Sequence, residues 1–155
     1  MSQMEIRETR YGSPVARALV AAAMAELGAR YGGEGDETPV VPSEFDPPDG
    51  GFYVAYLDGA PVGCCGWRSF ERSEDVAELK RMYVDPSARG NGVGRALLRA
   101  VEEAARAHGR KRMILECGDR QPEAISLYES EGYERIEDFG HYKGAEGVRS
   151  FGRTL

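Results

Sequence analysis

The residues best suited to chemistry lie in one glycine-rich stretch of the sequence. It comprises Arg89, Gly90, Asn91, Gly92, Val93, Gly94 and Arg95. Glycines let a backbone approach a ligand closely and adopt positive φ angles. The stretch opens a segment with helical periodicity, where free N–H groups and the helix dipole favour an anion. The two arginines add positive charge, so the stretch predicts a phosphate or pyrophosphate site, although its glycine content equally fits a flexible connection.

The flanking segments predict a strand and a helix that position this stretch. Val76–Val84 ends in β-branched and aromatic residues and is stopped by Asp85-Pro86, which favours a strand. After the glycines, apolar residues recur at steps of three and four, which is typical of an amphipathic helix closed by Gly109. These apolar residues are Val93, Ala96, Leu97, Ala100, Val101, Ala104 and Ala107.

The combined pattern resembles the acetyl-CoA site of the GNAT N-acetyltransferase superfamily. Glu-Leu-Lys-Arg-Met-Tyr-Val-x-Pro precedes Arg-x-x-Gly-x-Gly, and an Ala-Leu-Leu helix follows without a gap. In that family the arginine and the glycine loop hold the CoA pyrophosphate through backbone amides. The resemblance therefore implies acetyl-CoA as co-substrate. It also implies that backbone amides at Met82, Tyr83 and Val84 bind the pantetheine and polarise the thioester carbonyl.

Acetyl transfer to an amine requires a group that accepts a proton. An alkyl ammonium with a pKa near ~10.4 is neutral in only about one part in a few thousand at pH 7, which corresponds to roughly 4–5 kcal/mol of barrier. The resemblance implies Glu78, in Ala-Glu-Leu eleven residues before Arg89, as the general base. The alternative is a strand glutamate that faces solvent or pairs with Lys80 or Arg81.

The departing CoA thiolate requires a proton donor, since a thiol with a pKa near ~8.5 leaves better when it is protonated. Tyr128 lies in a segment that resembles the family pattern Asn-x-x-Ala-x-x-Leu-Tyr, whose tyrosine acts as general acid at the CoA sulfur. The alternative is a tyrosine that only packs. Gln121 replaces the asparagine of the pattern and adds a methylene, which leaves its contact with the CoA arm open.

The predicted elements follow the order β, α, loop, three strands, α, β, α, β, β. The strands are Met4–Arg10, Gly51–Leu57, Pro61–Phe70, Val76–Val84, Arg112–Glu116, Tyr133–Asp138 and Ser150–Leu155; the helices begin at Ser13-Pro14, Val93 and Gln121-Pro122. Periodicity alone gives an α+β protein with a mixed sheet. The resemblance implies the GNAT acyl-CoA N-acyltransferase fold. This is an α/β fold in which helices flank a mixed, mostly antiparallel central sheet that is splayed at the CoA site. A length of 155 residues predicts one domain over 1–155.

Composition excludes several classes of protein. A net charge of −6 argues against a non-specific nucleic-acid binder. Cys64, Cys65 and Cys117 form no Cys-x-x-Cys pair, and only two histidines are present, so we expect reduced thiols and no metal site. The segment Met1–Arg7 has no apolar signal region, and the apolar run Ala18–Ala25 is too short to span a bilayer, so we expect a cytoplasmic protein without a membrane partner.

The loop Gly32–Gly50 bears on the identity of the acceptor, because the resemblance places this loop over the acceptor side of the active site. Its acidic residues are Glu34, Asp36, Glu37, Glu44 and Asp46. They favour a small cationic amine, although a solvated loop is the alternative. Further candidates for the acceptor pocket are Tyr31, Trp67, Glu116 and the loop Phe139–Tyr142, residue types that more often belong to a core or rim. The predicted function is direct acetyl transfer from acetyl-CoA to the primary amine of a small acceptor; a protein or peptide acceptor and a homodimer stay open.

Two rival functions compete with this prediction. A dinucleotide-binding module also has a strand, a glycine loop, a helix and a second strand ending in an acid, here Glu116. Against it, five residues separate the strand from the first glycine, and the spacing is Gly-x-Gly-x-Gly. The second rival is a non-catalytic CoA-binding protein on the same fold. The presence of both Glu78 and Tyr128 favours an enzyme.

Overall fold

The computed structural model describes residues 3–155, so Met1 and Ser2, which begin the N-terminal segment considered above, lie outside the described residues. The helices are α1 (Pro14–Tyr31), α2 (Val93–Ala107) and α3 (Pro122–Ser130). The strands are β1 (Met4–Glu8), β2 (Gly50–Leu57), β3 (Ala60–Ser69), β4 (Val76–Val84), β5 (Arg112–Gly118), β6 (Glu134–Arg135) and β7 (Val148–Thr154). Short 3-10 turns occupy Pro42–Phe45, Phe70–Arg72 and Pro86–Ala88.

The seven strands form one sheet in the order β1-β2-β3-β4-β5-β7-β6. Neighbouring strands are antiparallel except β4 and β5, which are parallel. Within residues 3–155 these two strands pair over only three positions, from Val76 opposite Arg112 to Glu78 opposite Ile114. They therefore diverge beyond Glu78, which confirms the mixed, mostly antiparallel sheet and its predicted splay.

The helices cover opposite faces of the sheet. Consecutive strand residues point to opposite faces, and Val54 packs in the cluster under α1 whereas Ala55 packs in the cluster under α2 and α3. Leu97 and Leu98 of α2 are fully buried, and each contributes roughly 1.5–3 kcal/mol by leaving water. This packing holds the ends of β4 and β5 in place from both sides.

Several local predictions differ from the structure: β1 ends at Glu8 and not at Arg10, and β7 spans Val148–Thr154 and not Ser150–Leu155. The segment Tyr133–Asp138 forms only the two-residue strand β6, because the chain leaves β7 after the Ile136 amide donates to the Ser150 carbonyl at 3.0 Å. β5 continues two residues past its predicted end. The loop Gly32–Gly50 contains a 3-10 turn, whose Phe45 is buried against Tyr11 with ring centroids 4.7 Å apart. Tertiary packing decides each of these boundaries.

The first helix begins as its sequence predicts. The Ser13 hydroxyl accepts a hydrogen bond from the Ala16 amide at 3.4 Å, and Pro14 occupies the first turn. None of the helices within residues 3–155 is both long enough and apolar enough to cross a membrane.

Candidate active site

Two adjacent cavities open where β4 and β5 diverge. The β4–β5 cavity, of about 310 Å³, is lined by α1, β4, β5, α3 and the loop before β7. The glycine-loop cavity, also of about 310 Å³, is lined by the end of β4, the glycine stretch and α3. Met82 and Gln121 line both cavities, so the two spaces meet at these residues. The two cavities are therefore direct neighbours.

The structure brings the predicted anion-binding residues together around the glycine-loop cavity. The lining includes Met82, Tyr83, Val84, Arg89, Gly90, Gly92, Val93, Gly94, Arg95 and Gln121. Asn91 stands apart from them, because its side-chain amide donates to the Ala88 carbonyl at 2.9 Å. Asn91 thus stabilises the conformation of the loop through this hydrogen bond and does not line the cavity.

The loop backbone exposes the start of α2. Gly90 and Gly92 have φ angles of +86° and +78°, a region that residues with a β-carbon rarely adopt. Gly92 is the N-cap of α2 and provides no side-chain cap. Since the first N–H groups of a helix have no partner within the helix, they are available to an anion.

Both arginines of the stretch are engaged by carboxylates. Arg89 donates from Nε to the Val84 carbonyl at 3.0 Å and from Nη2 to Glu26 at 2.5 Å. Arg95 pairs through Nε with Glu131 at 2.5 Å. A bound phosphate would therefore compete with Glu26 for Arg89. Sequence reasoning missed Glu26, because it lies on α1, 63 residues from Arg89.

Tyr128 lines the β4–β5 cavity and is only 4% exposed. Its ring packs edge-on against Tyr133 with centroids 5.8 Å apart. Burial raises the pKa of the Tyr128 hydroxyl well above its usual range. The hydroxyl is therefore protonated at neutral pH, as an acid must be before the reaction, while the same shift makes it a weaker proton donor than a free tyrosine.

Glu78 lies outside the set of described residues that line either cavity. It is 3% exposed, and its carboxylate accepts a hydrogen bond from Arg68 Nε at 3.0 Å. Arg68 stands opposite Glu78 in the β3–β4 ladder and also pairs with Glu44 at 3.2 Å. The partner is thus Arg68, not the Lys80 or Arg81 that we considered from the sequence. This arrangement argues against Glu78 as a free base.

Glu116 of β5 has the environment that a base requires. It lines the β4–β5 cavity, and both carboxylate oxygens are buried without a hydrogen-bond partner among residues 3–155. Burial raises the pKa of Glu116 to about 7, although Lys80 opposes the shift. A carboxyl group with such a pKa beside a cavity is a functional candidate. Sequence reasoning placed Glu116 among candidates for the pocket wall and as the acid of the rival dinucleotide module, but not as a base, because its type and position gave no sign of its missing partners.

Two of the carboxylates expected to form an acidic wall in the loop Gly32–Gly50 are paired with cations of the sheet. Asp36, which lines the cavity, pairs with Lys80 at 2.8 Å and with Arg81. Burial would raise the pKa of Asp36, but these two cations outweigh it and hold the pKa well below its usual range. Glu44 pairs with Arg68. Neither carboxylate is left to attract a cationic amine.

The remaining candidates for the acceptor pocket divide between wall and core. Tyr31 and Tyr142 line the β4–β5 cavity, and the Tyr142 hydroxyl accepts from the Glu37 amide at 2.6 Å. Trp67 is fully buried in the core, and Phe139 packs against Phe70 with centroids 5.3 Å apart.

The cysteines lack the lowered pKa that a nucleophilic thiol needs. Cys64 and Cys65 are buried, and burial raises the pKa of Cys64 to about 12 and that of Cys65 well above its usual value. Burial likewise raises the pKa of Cys117, which lines the β4–β5 cavity, to about 12. In the described part of the chain, no group of three or more His, Cys, Asp or Glu side chains could hold a metal ion.

Comparison with known proteins gives consistent matches. Residues 21–133 match the model of the Acetyltransferase (GNAT) family. An IAA acetyltransferase of Azospirillum brasilense is 41% identical over 95 residues, which cover 61% of this chain and 61% of that protein. The chain thus spans less than two thirds of the length of this relative.

Solved structures share the whole fold. A Klebsiella pneumoniae protein assigned to the acyl-CoA N-acyltransferases superposes with a TM-score of 0.80 at 27% identity, over 99% of this chain and 98% of that chain. A GNAT family acetyltransferase from Elizabethkingia anophelis, solved with acetyl-CoA bound, gives a TM-score of 0.67 at 17% identity over 98% of both chains.

Proposed function

Because the chain belongs to the acetyltransferase (GNAT) family, we propose that it transfers an acetyl group from acetyl-CoA directly to the primary amine of a small acceptor. One observation carries this proposal. A cavity at the uncapped start of α2, which suits an anion, adjoins at Met82 and Gln121 a second cavity lined by Tyr128 and Glu116. A donor and an acceptor in these two cavities would face each other across their junction.

The residues of the glycine-loop cavity suit the coenzyme. The uncapped N–H groups at the start of α2, together with Arg89, would hold the diphosphate. The backbone at Met82–Val84 would hold the pantetheine arm and polarise the thioester carbonyl. Gln121 stands at the junction, where it would contact the arm. Acetyl-CoA supplies the acetyl group as an activated thioester.

The proton transfers are assigned to two residues of the β4–β5 cavity. The amine nitrogen of the acceptor attacks the thioester carbonyl carbon; a C–N bond forms and the C–S bond breaks. Glu116 accepts the proton that the amine loses, and Tyr128 donates a proton to the departing sulfur. We place the base at Glu116 and not at Glu78, because Arg68 already occupies the Glu78 carboxylate.

The size of the β4–β5 cavity favours a small acceptor. Its volume of about 310 Å³ lies at the low end of the range for small-molecule sites. Its apolar wall comes from α1, with Ala23, Met24 and Leu27. The Azospirillum relative is named for IAA, which also supports a small-molecule acceptor. A peptide or protein amine is the second candidate, and a homodimer stays a prediction.

Two measurements on the purified protein test the proposal. Calorimetry should show saturable binding of acetyl-CoA at micromolar to low millimolar concentrations, and NADH should not compete. Thiol release from acetyl-CoA should accelerate with at least one member of a panel of amino acids, amines and peptides, with the acetylated product identified by mass. Binding without transfer to any amine would support the non-catalytic alternative, and NADH binding without acetyl-CoA binding would support a dinucleotide module.

A further inference from the structure

Two buried cations occupy the wall of the β4–β5 cavity side by side. The side chains of Lys80 and Arg81 are 4% and 5% exposed, and both residues line the cavity. Consecutive residues of a strand normally point to opposite faces of the sheet. Here both contact the same carboxylate, Asp36. Both side chains therefore lie on the same face.

A β-bulge produces this arrangement. The β3–β4 register shifts between Cys64 and Gly66, and Arg81 at the bulge has a φ angle of +63°. A bulky residue seldom adopts this left-handed conformation, and bulges re-aim side chains beside active sites. The unusual backbone thus adds a second cation to the cavity wall.

The charges of the wall leave this second cation incompletely paired. Asp36 is shared between Lys80 and Arg81, and Thr38 also donates to Asp36 at 2.6 Å. Arg81 Nε is buried and has no hydrogen-bond partner among the described residues. Glu116 and Glu146 also line the cavity, and Glu116 lacks a hydrogen bond to either cation. An unpaired buried donor is costly unless a ligand satisfies it.

We propose that the acceptor amine carries a carboxylate, which Arg81 binds while the amino group faces Glu116. The inference rests on the proposed function and specifies its acceptor as an amino acid or a similar amino-carboxylate. Such a zwitterion places its negative end beside the partly paired cation and its ammonium beside the unpaired carboxylate. A polyamine would instead bring further positive charge to a wall that already holds Lys80 and Arg81.

Matched trios of acceptors test this inference. One trio is L-leucine, L-leucinamide and 3-methylbutylamine; the other is L-phenylalanine, L-phenylalaninamide and 2-phenylethylamine, with spermidine as a polyamine arm. For at least one amino acid, we expect kcat/KM to be about tenfold or more higher than the kcat/KM of its carboxamide and of its decarboxylated amine. A loss of this size is typical of a missing charge-assisted hydrogen bond. The amine of a carboxamide is less basic, which biases the comparison against the inference.

The variants Arg81→Gln and Arg81→Lys show whether Arg81 is the carboxylate-binding residue. Asp36 remains paired with Lys80 in both variants, so no buried charge is stranded. Arg81→Gln should abolish the preference for the acid, and Arg81→Lys should retain part of it, with the acetyl-CoA Kd within about twofold of wild type.

The outcomes separate this inference from the proposed function. The inference would be overturned if, in the wild-type protein, kcat/KM for a carboxamide, a decarboxylated amine or spermidine equals or exceeds that for the acids. It would also be overturned if the preference for the acid survives in Arg81→Gln. Such results would leave acetyl transfer intact. Failure of acetyl-CoA to bind would instead refute the proposed function.

Discussion

Replacement of Glu116 by glutamine should remove the base without disturbing the cavity. Glutamine has nearly the same shape, and the Glu116 oxygens have no hydrogen-bond partner among residues 3–155 that the change would break. Without the base, reaction depends on acceptor molecules that are already neutral in solution. Loss of a positioned base lowers rates by about 10²–10⁴-fold, so we expect kcat at pH 7.5 to fall by at least about 10².

The pH profile gives a sharper signature than the rate at one pH. With a pKa of about 7, Glu116 is ionised in about a tenth of molecules at pH 6 and in about nine tenths at pH 8. Wild-type kcat should therefore rise about nine- to tenfold between pH 6 and pH 8, level off above pH 8, and approach a tenfold change per pH unit only well below pH 6. In Glu116→Gln the break near pH 7 should disappear, and the rate should continue to rise toward the pKa of the free amine.

Stability supplies an independent readout of the same group. The folded pKa of about 7 exceeds the ordinary value of 4.5, so the folded state favours the protonated form. The stabilisation from this form is complete below pH 4.5 and is lost as the pH rises through 7. The full shift corresponds to about 3 kcal/mol, which we reduce to about 1–2 kcal/mol because the cavity opens to solvent. Glu116→Gln should therefore be more stable than wild type at pH 8, and the difference should shrink toward pH 5.

The assay is thiol release from acetyl-CoA between pH 5.5 and 9, together with thermal unfolding at pH 5 and pH 8. The matched control is Glu78→Gln, which should lose stability because Arg68 loses a charged partner, yet should keep the break near pH 7. A break that persists in Glu116→Gln and vanishes in Glu78→Gln would refute our assignment and restore Glu78 as the base.

Three further perturbations address the acid and the donor site. Tyr128→Phe keeps the packed ring but removes the hydroxyl, so kcat should fall by about 10² with the acetyl-CoA Kd nearly unchanged; a normal kcat would exclude Tyr128 as the acid. Gly92→Val forces a β-branched residue to a φ angle of +78° and should weaken acetyl-CoA binding, measured by calorimetry, about tenfold or more. The control Gly59→Val, which is similarly strained at a φ angle of +86° in the β2–β3 turn, should leave acetyl-CoA binding unchanged. Glu26→Gln frees Arg89 from its exposed ion pair and should tighten acetyl-CoA binding about two- to fivefold at low salt, an effect that should fade as salt is added; unchanged affinity at low salt would show that Glu26 does not compete.

The sequence predicted the strand and the helix on either side of the glycine stretch well, because these parts are contiguous. The strand Val76–Val84, the glycine stretch and the helix from Val93 follow one another, and each is specified by local propensity and periodicity. The resemblance then supplied the splay between β4 and β5, which the short ladder ending at Glu78 confirms. The two-residue β6 escaped prediction, because its length depends on pairing with a strand that follows it in the chain.

The choice of the proposed base could not be made from the sequence alone. Glu78 and Glu116 are both strand glutamates; the Ala-Glu-Leu pattern favoured Glu78 as the base, but it carries no information on which carboxylate is paired in the folded protein. The difference comes from Arg68, which the β3–β4 register sets against Glu78, and from the splay, which leaves Glu116 at a cavity wall without a partner. The pKa of Glu116 is a property of that burial and not of its neighbours in sequence.

The pairing of charges in the wall of the β4–β5 cavity also depends on tertiary packing. The sequence determined that the loop Gly32–Gly50 is rich in acidic residues and that Lys80 and Arg81 are adjacent within β4, since both are properties of short stretches of chain. Only the tertiary structure decided that Asp36 pairs across 45 residues with Arg81, and that a bulge turns Arg81 toward the same face as Lys80. Ion pairing depends on distances of a few ångströms between residues far apart in the chain, and those distances exist only once the sheet and the loop have packed together.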